Sequence, residues 1–228
     1  MNELDLAEAA VQHYIRNQHI FERFKNVVVD YFRLEPSLNI YGSPIVYTIK
    51  SRLKDPTHLL DKISRKTGRG SHITQGNIFE TITDLAGVRI LHLYQDQFPQ
   101  IHEHIMRNIE AQEWFFHEQP IVYSWDPEAT EFFKALGLRT EIKESYYTSI
   151  HYIVKPREDS NIHCEIQVRT LFEEIWGEID HSINYPHPTP SQACREQLRV
   201  LSKLVSTGTR LADSIYRTNI EHLLGSSK

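Results

Sequence analysis

The 228 residues carry 40% hydrophobic and 24% charged side chains, which is typical of globular proteins and excludes collagen-like and disordered classes. Thirty acidic and 25 basic residues give a formal net charge of −5, which argues against a general nucleic-acid binder. No apolar run approaches the ~20 residues that span a bilayer, the chain begins with polar residues, and two cysteines cannot build a disulfide framework. We therefore expect a cytoplasmic protein.

The first third of the chain predicts a helical arm, a strand and a basic helix. Apolar residues recur at helical spacing over 3–34, which predicts one or two helices, and the β-rich, alternating segment 40–50 predicts a strand. Asp55 and Pro56 are typical of an N-cap and a first helical residue. A helix is therefore predicted from there to about Lys66, before the glycine-rich sequence TGRGS.

The middle of the chain predicts strands that alternate with helices. The sequence AGVRILHLY predicts a buried strand over 86–94, and Asp96 is predicted to cap a helix that ends near Ala111. The next segment is ambiguous, but a strand fits between Trp114 and Tyr123.

The last part predicts a short helix capped by Asp126, strands over 146–155 and 162–169, and helices over 170–183 and 191–223. This order is typical of an α+β fold in which helices flank a mixed sheet. We expect a single domain over 1–228, with N-terminal helices over 1–39, a catalytic core over 40–190 and a C-terminal helix over 191–228.

The two strands after residue 146 each place polar groups on one face. Alternate residues of a strand share a face, so His163, Glu165, Gln167 and Arg169 line up, and the other strand presents Tyr147, Ser149 and His151 in the same way. We predict a hairpin in which His151 lies opposite Glu165, and Ser149 lies opposite Gln167. An ordinary half-solvated sheet shows the same alternation, so the pattern alone does not establish a site.

A second carboxylate and a group of cations extend this polar surface. Asp84 precedes the strand AGVRI, and Asp84 with Glu165 would suit Mg²⁺, which typically takes one or two carboxylates plus substrate phosphates. The predicted basic helix carries four side chains on one face, namely His58, Lys62, Arg65 and Lys66. Arg52 and Lys54 come just before it. Carboxylates for a metal beside clustered cations are what a polyphosphate site requires.

Four segments then carry a resemblance to a known family. SRLKDPTHLLDKISRK, DLAGVRI, YYTSIHYIV and EIQVRTLFEEIWGEIDH, in this order and spacing, resemble the synthetase domain of the RelA/SpoT family over about 40–190. Among its members, the small stand-alone alarmone synthetases are the most similar. The resemblance implies a nucleotidyltransferase-like fold with a mixed sheet of about five strands, and assembly as a homotetramer.

The resemblance also implies a reaction and a set of site residues. Pyrophosphate would pass from ATP to the 3′-hydroxyl of GDP or GTP with release of AMP, Asp84 and Glu165 would hold Mg²⁺, and Glu165 would act as the general base. The implied ATP-binding residues are Arg52 at the adenine, Lys54, Lys62 and Arg89 at the phosphates, and His58 and Arg65 on the basic helix. The implied acceptor-binding residues are Tyr147 stacked on guanine, Lys143 at the acceptor phosphates, and Ser149, His151, Gln167 and Arg169 lining the pocket.

Two residues depart from the family pattern. The family usually has glycine before the stacking tyrosine, where this chain has Tyr146, and it usually has serine where this chain has His58. Tyrosine reaches the backbone geometry of glycine only at a cost in free energy. The acceptor loop, which carries Tyr146 and Tyr147, is therefore expected to be reshaped. Two alternatives therefore stay open: a relative that pyrophosphorylates the 3′ end of tRNA, and a nucleotide-binding assembly protein without turnover.

Overall fold

The computed structural model describes residues 3–143, 145–185 and 187–225, with the side chains of 223–225 excepted. Seven α-helices and six strands are found in these residues, together with one 3₁₀ turn, Gln95–Gln97, before α4. The helices are α1 (Glu3–Leu34), α2 (Pro56–Thr67), α3 (Ile78–Thr81), α4 (Phe98–Glu110), α5 (Pro127–Ala135), α6 (Leu171–Asn184) and α7 (Gln192–Gly225). The strands are β1 (Thr48–Leu53), β2 (Ala86–His92), β3 (Phe115–Tyr123), β4 (Arg139–Glu141), β5 (Ser149–Lys155) and β6 (Cys164–Thr170).

The strands form one mixed sheet in the order β1-β2-β6-β5-β3-β4. The pairs β2–β6 and β3–β4 are parallel, and the other neighbours are antiparallel. The predicted α+β class with flanking helices is therefore confirmed, but the sheet has six strands where about five were expected. The additional strand, β4, has only three residues, which is too short to show an alternating pattern.

Helix α1 supplies much of the core on one face of the sheet. It is a single helix of 32 residues, and its buried side chains include Tyr14, Phe21, Val28 and Phe32. The Tyr14 hydroxyl bridges two backbone carbonyl oxygens, at 3.0 Å from that of Leu85 and 3.1 Å from that of Lys54. This contact fixes the two chain segments that carry Lys54 and Asp84.

The predicted strand over 40–50 is mostly wrong, because β1 begins only at Thr48. Gly42 has φ +82°, a turn conformation that glycine adopts readily, and Pro44 has no amide to donate to a strand neighbour. The amides of Ile45 and Val46 bind the Leu38 carbonyl oxygen instead of a strand. Their apolar side chains are buried, and this burial is the source of the strand-like pattern.

The predicted caps of α2 and α5 are confirmed, whereas that of α4 is wrong. The carboxylates of Asp55 and Asp126 accept amide hydrogen bonds from the first turns of α2 and α5. Asp96 lies inside the 3₁₀ turn, and its carboxylate accepts from Arg217 on α7 at 2.5 and 2.8 Å. Asp96 therefore joins α7 to the turn that follows β2 and caps no helix.

The β5–β6 hairpin exists, but its predicted register is wrong by two residues. His151 lies opposite Gln167, and Glu165 lies opposite Ile153. Side chains repeat every two residues along a strand, so a shift of two leaves the polar face intact. His151 and Glu165 still meet, now along a diagonal of the sheet.

Candidate active site

An open cleft of about 320 Å³ crosses the polar face where β1, β2 and β6 are neighbours. Asp84 and Glu165, the two carboxylates predicted to act together, both line it. The other lining residues are Lys50, Ser51, Arg52, Gly87, Val88, Arg89, Gln167 and Glu178. Because β2 and β6 are parallel neighbours, the start of each strand brings one of the two acids to the same place.

Asp84 is held by two lysines. Lys54 Nζ donates to its Oδ2 at 2.9 Å, and Lys62 Nζ donates to its Oδ1 at 2.8 Å. Burial alone would raise the pKa of Asp84, but the two ammonium groups outweigh it and lower the pKa to about 2. Asp84 is therefore ionised at neutral pH, and both lysines predicted to contact ATP phosphates are paired with it in this structure.

Glu165 is oriented by hydrogen bonds to both of its oxygens. His151 Nδ1 lies 3.0 Å from Oε1, and Gln167 Nε2 donates to Oε2 at 2.9 Å. Burial raises the pKa of Glu165, but the hydrogen bond and charge of His151 outweigh it, so the pKa lies below its usual value. The charge of Asp84 acts on Glu165 in the opposite direction, which places the two carboxylates within electrostatic reach of each other.

Arg89 is held by two carboxylates of α6. Its Nη1 donates to Glu174 Oε1 at 2.8 Å and to Glu178 Oε1 at 2.6 Å. Glu174 is buried and also accepts from Lys50 Nζ at 2.8 Å, whereas the side chain of Glu178 is 55% exposed. Glu178 is thus the more accessible of the two partners of Arg89.

Two of the predicted acceptor residues, His151 and Arg169, lie against Tyr147. Its hydroxyl lies 3.2 Å from His151 Nε2, and the guanidinium of Arg169 lies 5.5 Å from its ring centroid. The two ring nitrogens of His151 thus contact Glu165 and Tyr147, so the three side chains form one chain of hydrogen bonds. Lys143 Nζ lies 4.0 Å from the ring centroid of Tyr123.

A model of a region found in RelA and SpoT proteins matches residues 51–189, which is more than half of the chain. The chain belongs to the RelA/SpoT family. Two curated Bacillus subtilis relatives are GTP pyrophosphokinases. YjbM is 28% identical over 153 residues (64% of this chain, 59% of YjbM), and YwaC is 27% identical over 153 residues (64% and 61%). The aligned residues thus span about three fifths of these relatives' length.

The fold is also that of a small alarmone synthetase. The crystal structure of small alarmone synthetase 1 from Bacillus subtilis bound to its product pppGpp superposes with a TM-score of 0.63. The superposition covers 88% of this chain and 93% of that one, at 22% identity. The predicted family membership and nucleotidyltransferase-like fold are both confirmed.

The basic helix of this RelA/SpoT chain does not present all its cations to the cleft. Lys62 reaches Asp84, but the His58 ring lies edge-on to that of Tyr185, at 5.4 Å between centroids. The Arg65 guanidinium lies 6.0 Å from the Tyr185 ring centroid, at the end of α6. The binding of ATP by His58 and Arg65 therefore stays a prediction that depends on how ATP extends beyond the cleft.

Two predicted acceptor residues are buried. Ser149 is fully buried, and Arg169 is 2% exposed. Arg169 Nη2 donates to Gln167 Oε1 at 3.0 Å, and its Nε lies 3.1 Å from Glu174 Oε2 without hydrogen-bond alignment. The structure thus places Arg169 under the site, where it supports Tyr147 and Gln167.

Two site residues, Glu174 and Glu178, were not predicted from the sequence. They lie four residues apart on α6, so they share a helix face, and that spacing was the available signal. The sequence does not show that this face lies against β2, because that depends on how α6 packs after β6.

Tyr146 has φ +60°, as expected for a residue at a position where the family usually has glycine. A left-handed backbone costs an L-residue about 1–2 kcal/mol. The Tyr146 ring makes two contacts of a kind that offset such a cost, an edge contact with Trp125 at 5.4 Å and the Arg199 guanidinium at 5.7 Å. Such contacts contribute about 0.5–1.5 and about 0.5–1 kcal/mol respectively.

A second cavity of about 270 Å³ lies near α5, α6 and α7, and Tyr146, Thr148 and Trp125 line it. None of the predicted catalytic residues is among its lining side chains. Glu173 also lines it, and burial raises the pKa of that carboxyl to about 7. Adjacent residues of the acceptor loop, Tyr146 and Tyr147, thus have different surroundings.

No helix in the described part of the chain combines the length and apolarity that a bilayer crossing requires. In the same residues, no group of three or more histidine, cysteine or acidic side chains could hold a metal ion. A metal in the cleft would therefore rely on Asp84 and Glu165 together with substrate oxygens. Such a donor set fits Mg²⁺, which keeps waters and binds substrate phosphates.

Proposed function

We propose that the chain is a (p)ppGpp synthetase that transfers pyrophosphate from ATP to the 3′-hydroxyl of GDP or GTP and releases AMP. The observation that carries the proposal is the meeting of Asp84 and Glu165 in one cleft. Arg89 also lines this cleft, and Lys54 and Lys62 are bound to Asp84. The names of the curated relatives and the pppGpp-bound structure support the same reaction.

Positioning and charge neutralisation are what this reaction needs most. Asp84 and Glu165 would hold Mg²⁺, which would neutralise phosphate charge when bound. Lys54 and Lys62 lie within hydrogen-bond distance of Asp84 and would bind the phosphates beside it. Arg52 is exposed at the edge of the cleft, where it can reach the nucleotide end of ATP.

Glu165 is the proposed general base for the acceptor hydroxyl. Its lowered pKa keeps it ionised at neutral pH, and His151 and Gln167 fix its orientation. Tyr147 and Lys143 would bind the guanine base and the acceptor phosphates. Tyr147 is a flat side chain already held by His151, which reduces the entropy lost on stacking.

The direct test is an acceptor assay with ATP, Mg²⁺ and GDP, GTP or tRNA, in which AMP and the modified acceptor are measured. AMP together with guanosine tetra- or pentaphosphate is the expected result. Labelled tRNA would instead support the tRNA-modifying alternative, which the tyrosine at position 146 in place of the usual glycine keeps open. No AMP with any acceptor would support a protein without turnover.

We expect Glu178→Gln to lower the KM for ATP by about two- to fivefold, because an exposed ion pair such as Glu178–Arg89 contributes about 0.2–1 kcal/mol that the phosphates must replace. The kcat should stay within about twofold, since Glu178 has no proposed part in the chemistry. Steady-state kinetics at varied ATP concentration measure both. Glu131→Gln removes a similar exposed partner from Lys134 on α5 and is the matched control. A higher KM in Glu178→Gln would contradict this competition.

We also propose that the chain forms a homo-oligomer, a tetramer as the family resemblance implies. Helix α7 exposes one apolar stripe, with exposures of 57% at Val200, 63% at Leu204, 61% at Leu211 and 60% at Ile215. These residues follow each other at intervals of four, seven and four, so they share one helix face. Exposed apolar patches of this kind mark association surfaces.

We expect Leu204→Glu to dissociate the oligomer, because it places a charge in the middle of the stripe. Light scattering after size exclusion measures the mass against the 26.8 kDa chain. Lys203→Glu adds the same side chain one residue earlier, outside the stripe, and should leave the mass unchanged. A monomeric wild type, or an unchanged mass in Leu204→Glu, would remove this face from any interface.

A further inference from the structure

The acceptor loop is anchored by the ring of its strained residue. Besides Gln112, Tyr146 is the one non-glycine residue with positive φ in the described ranges. Its ring is held from two sides, by Trp125 just before α5 and by Arg199 on α7, whose side chain is 49% exposed. Its amide also donates to the Lys143 carbonyl oxygen at 3.2 Å. The loop is therefore attached to α7 and to the segment just before α5, both outside the sheet.

This anchor lies directly before the proposed stacking residue. The Tyr147 hydroxyl contacts His151, and its ring faces the buried Arg169. The left-handed residue turns the chain three residues before β5 begins at Ser149. The direction in which the Tyr147 ring enters the site therefore depends on the backbone of Tyr146.

We propose that Tyr146 is a positioning residue for the acceptor, whose clamped ring keeps the loop in the conformation that presents Tyr147 to the guanine base. The inference rests on the proposed function, because it takes Tyr147 to bind that base. Glycine at this position would relieve the backbone strain but would leave the loop without its anchor. The contacts with Trp125 and Arg199 thus hold the left-handed backbone at position 146, which glycine adopts readily in the family pattern.

Steady-state kinetics and calorimetric measurement of acceptor binding, on the wild type and a set of variants, test this role. The wild type is compared with Tyr146→Gly, Tyr146→Phe, Arg199→Ala and the control Lys203→Ala, which removes a cation one turn further along α7. We expect Tyr146→Gly to raise the KM and Kd for the acceptor about 5- to 20-fold, with kcat and the KM for ATP within about threefold, since two ring contacts are lost and no catalytic group changes. Tyr146→Phe keeps the ring and should behave as wild type.

Arg199→Ala should raise the same acceptor constants about two- to fivefold, since it removes one of the two contacts. When Arg199→Ala is combined with Tyr146→Gly, the acceptor KM and Kd should be no higher than in Tyr146→Gly alone, because both changes break the same clamp. Tyr147→Ala shows how far the acceptor KM and Kd rise when stacking is lost completely.

Wild-type acceptor constants in Tyr146→Gly, or fully additive losses with Arg199→Ala, would overturn the positioning role. If Tyr146→Gly does not fold, the surface variant Arg199→Ala decides the question by itself. A wild type that forms no AMP with GDP or GTP would instead show that the proposed function fails. The two failures are therefore distinguishable.

Discussion

Glu165→Gln should reduce AMP formation by at least about 10³-fold, equivalent to about 4 kcal/mol of barrier, while ATP still binds. Glutamine keeps the shape of the side chain but cannot take the acceptor proton, and it is a poor ligand for Mg²⁺. In the proposed function ATP is bound mainly by Lys54, Lys62 and Arg89, which the change leaves in place. AMP release by chromatography and ATP affinity by calorimetry measure the two effects.

Glu118→Gln is the matched control for this variant. Glu118 is an exposed carboxylate of β3, so the same chemical change is made on the sheet outside the cleft. It should keep wild-type turnover. Near wild-type activity in Glu165→Gln would remove Glu165 from the mechanism, and loss of ATP binding would assign it to the donor rather than to the chemistry.

Asp84→Asn should also abolish turnover, and it should change how stability depends on pH. The pKa of Asp84 is about 2 in the folded chain against 3.8 for the ordinary side chain, so the group contributes roughly 2 kcal/mol above pH 4. Because the folded-state pKa is depressed, this contribution is lost as the pH falls from about 5 towards 2. The asparagine variant has no such proton to take up, so its stability should fall less steeply.

Urea unfolding at several pH values between 7 and 3 measures this difference. Asp61→Asn is the control, because Asp61 is an exposed acid on α2 directly before Lys62. It should follow the wild-type pH dependence and keep activity. An identical pH slope in Asp84→Asn and wild type would show that the two lysines do not stabilise the carboxylate.

The polar face of the hairpin could be predicted from the sequence, but its register could not. The alternation in Glu165, Gln167 and Arg169 has a period of two, so it predicts which residues share a face. It does not distinguish pairing registers that differ by two residues. The observed pairing of His151 with Gln167 depends on the connection between β5 and β6, for which the sequence offers only turn residues.

The two carboxylates of the cleft, Asp84 and Glu165, were predictable because motif order and strand pattern agree. The α6 carboxylates that hold Arg89 were not, because the pattern of Glu174 and Glu178 is that of any solvated helix face. Only the packing of α6 beside β2 brings Glu174 into contact with Lys50, Arg89 and Arg169. The cost of a tyrosine before Tyr147 was predictable from backbone sterics, but its partners Trp125 and Arg199 are tertiary contacts.

Anomalous diffraction from crystals grown with Mn²⁺ and a non-hydrolysable ATP analogue tests most directly whether Asp84 and Glu165 share one metal ion. We expect one peak in the cleft, about 2.1 Å from an oxygen of each carboxylate or about 4 Å where a water intervenes, with phosphate oxygens completing the coordination. Lys54 and Lys62 should then contact phosphate. A peak remote from either carboxylate, or Asp84 still bound to both lysines beside a bound triphosphate, would contradict the shared site.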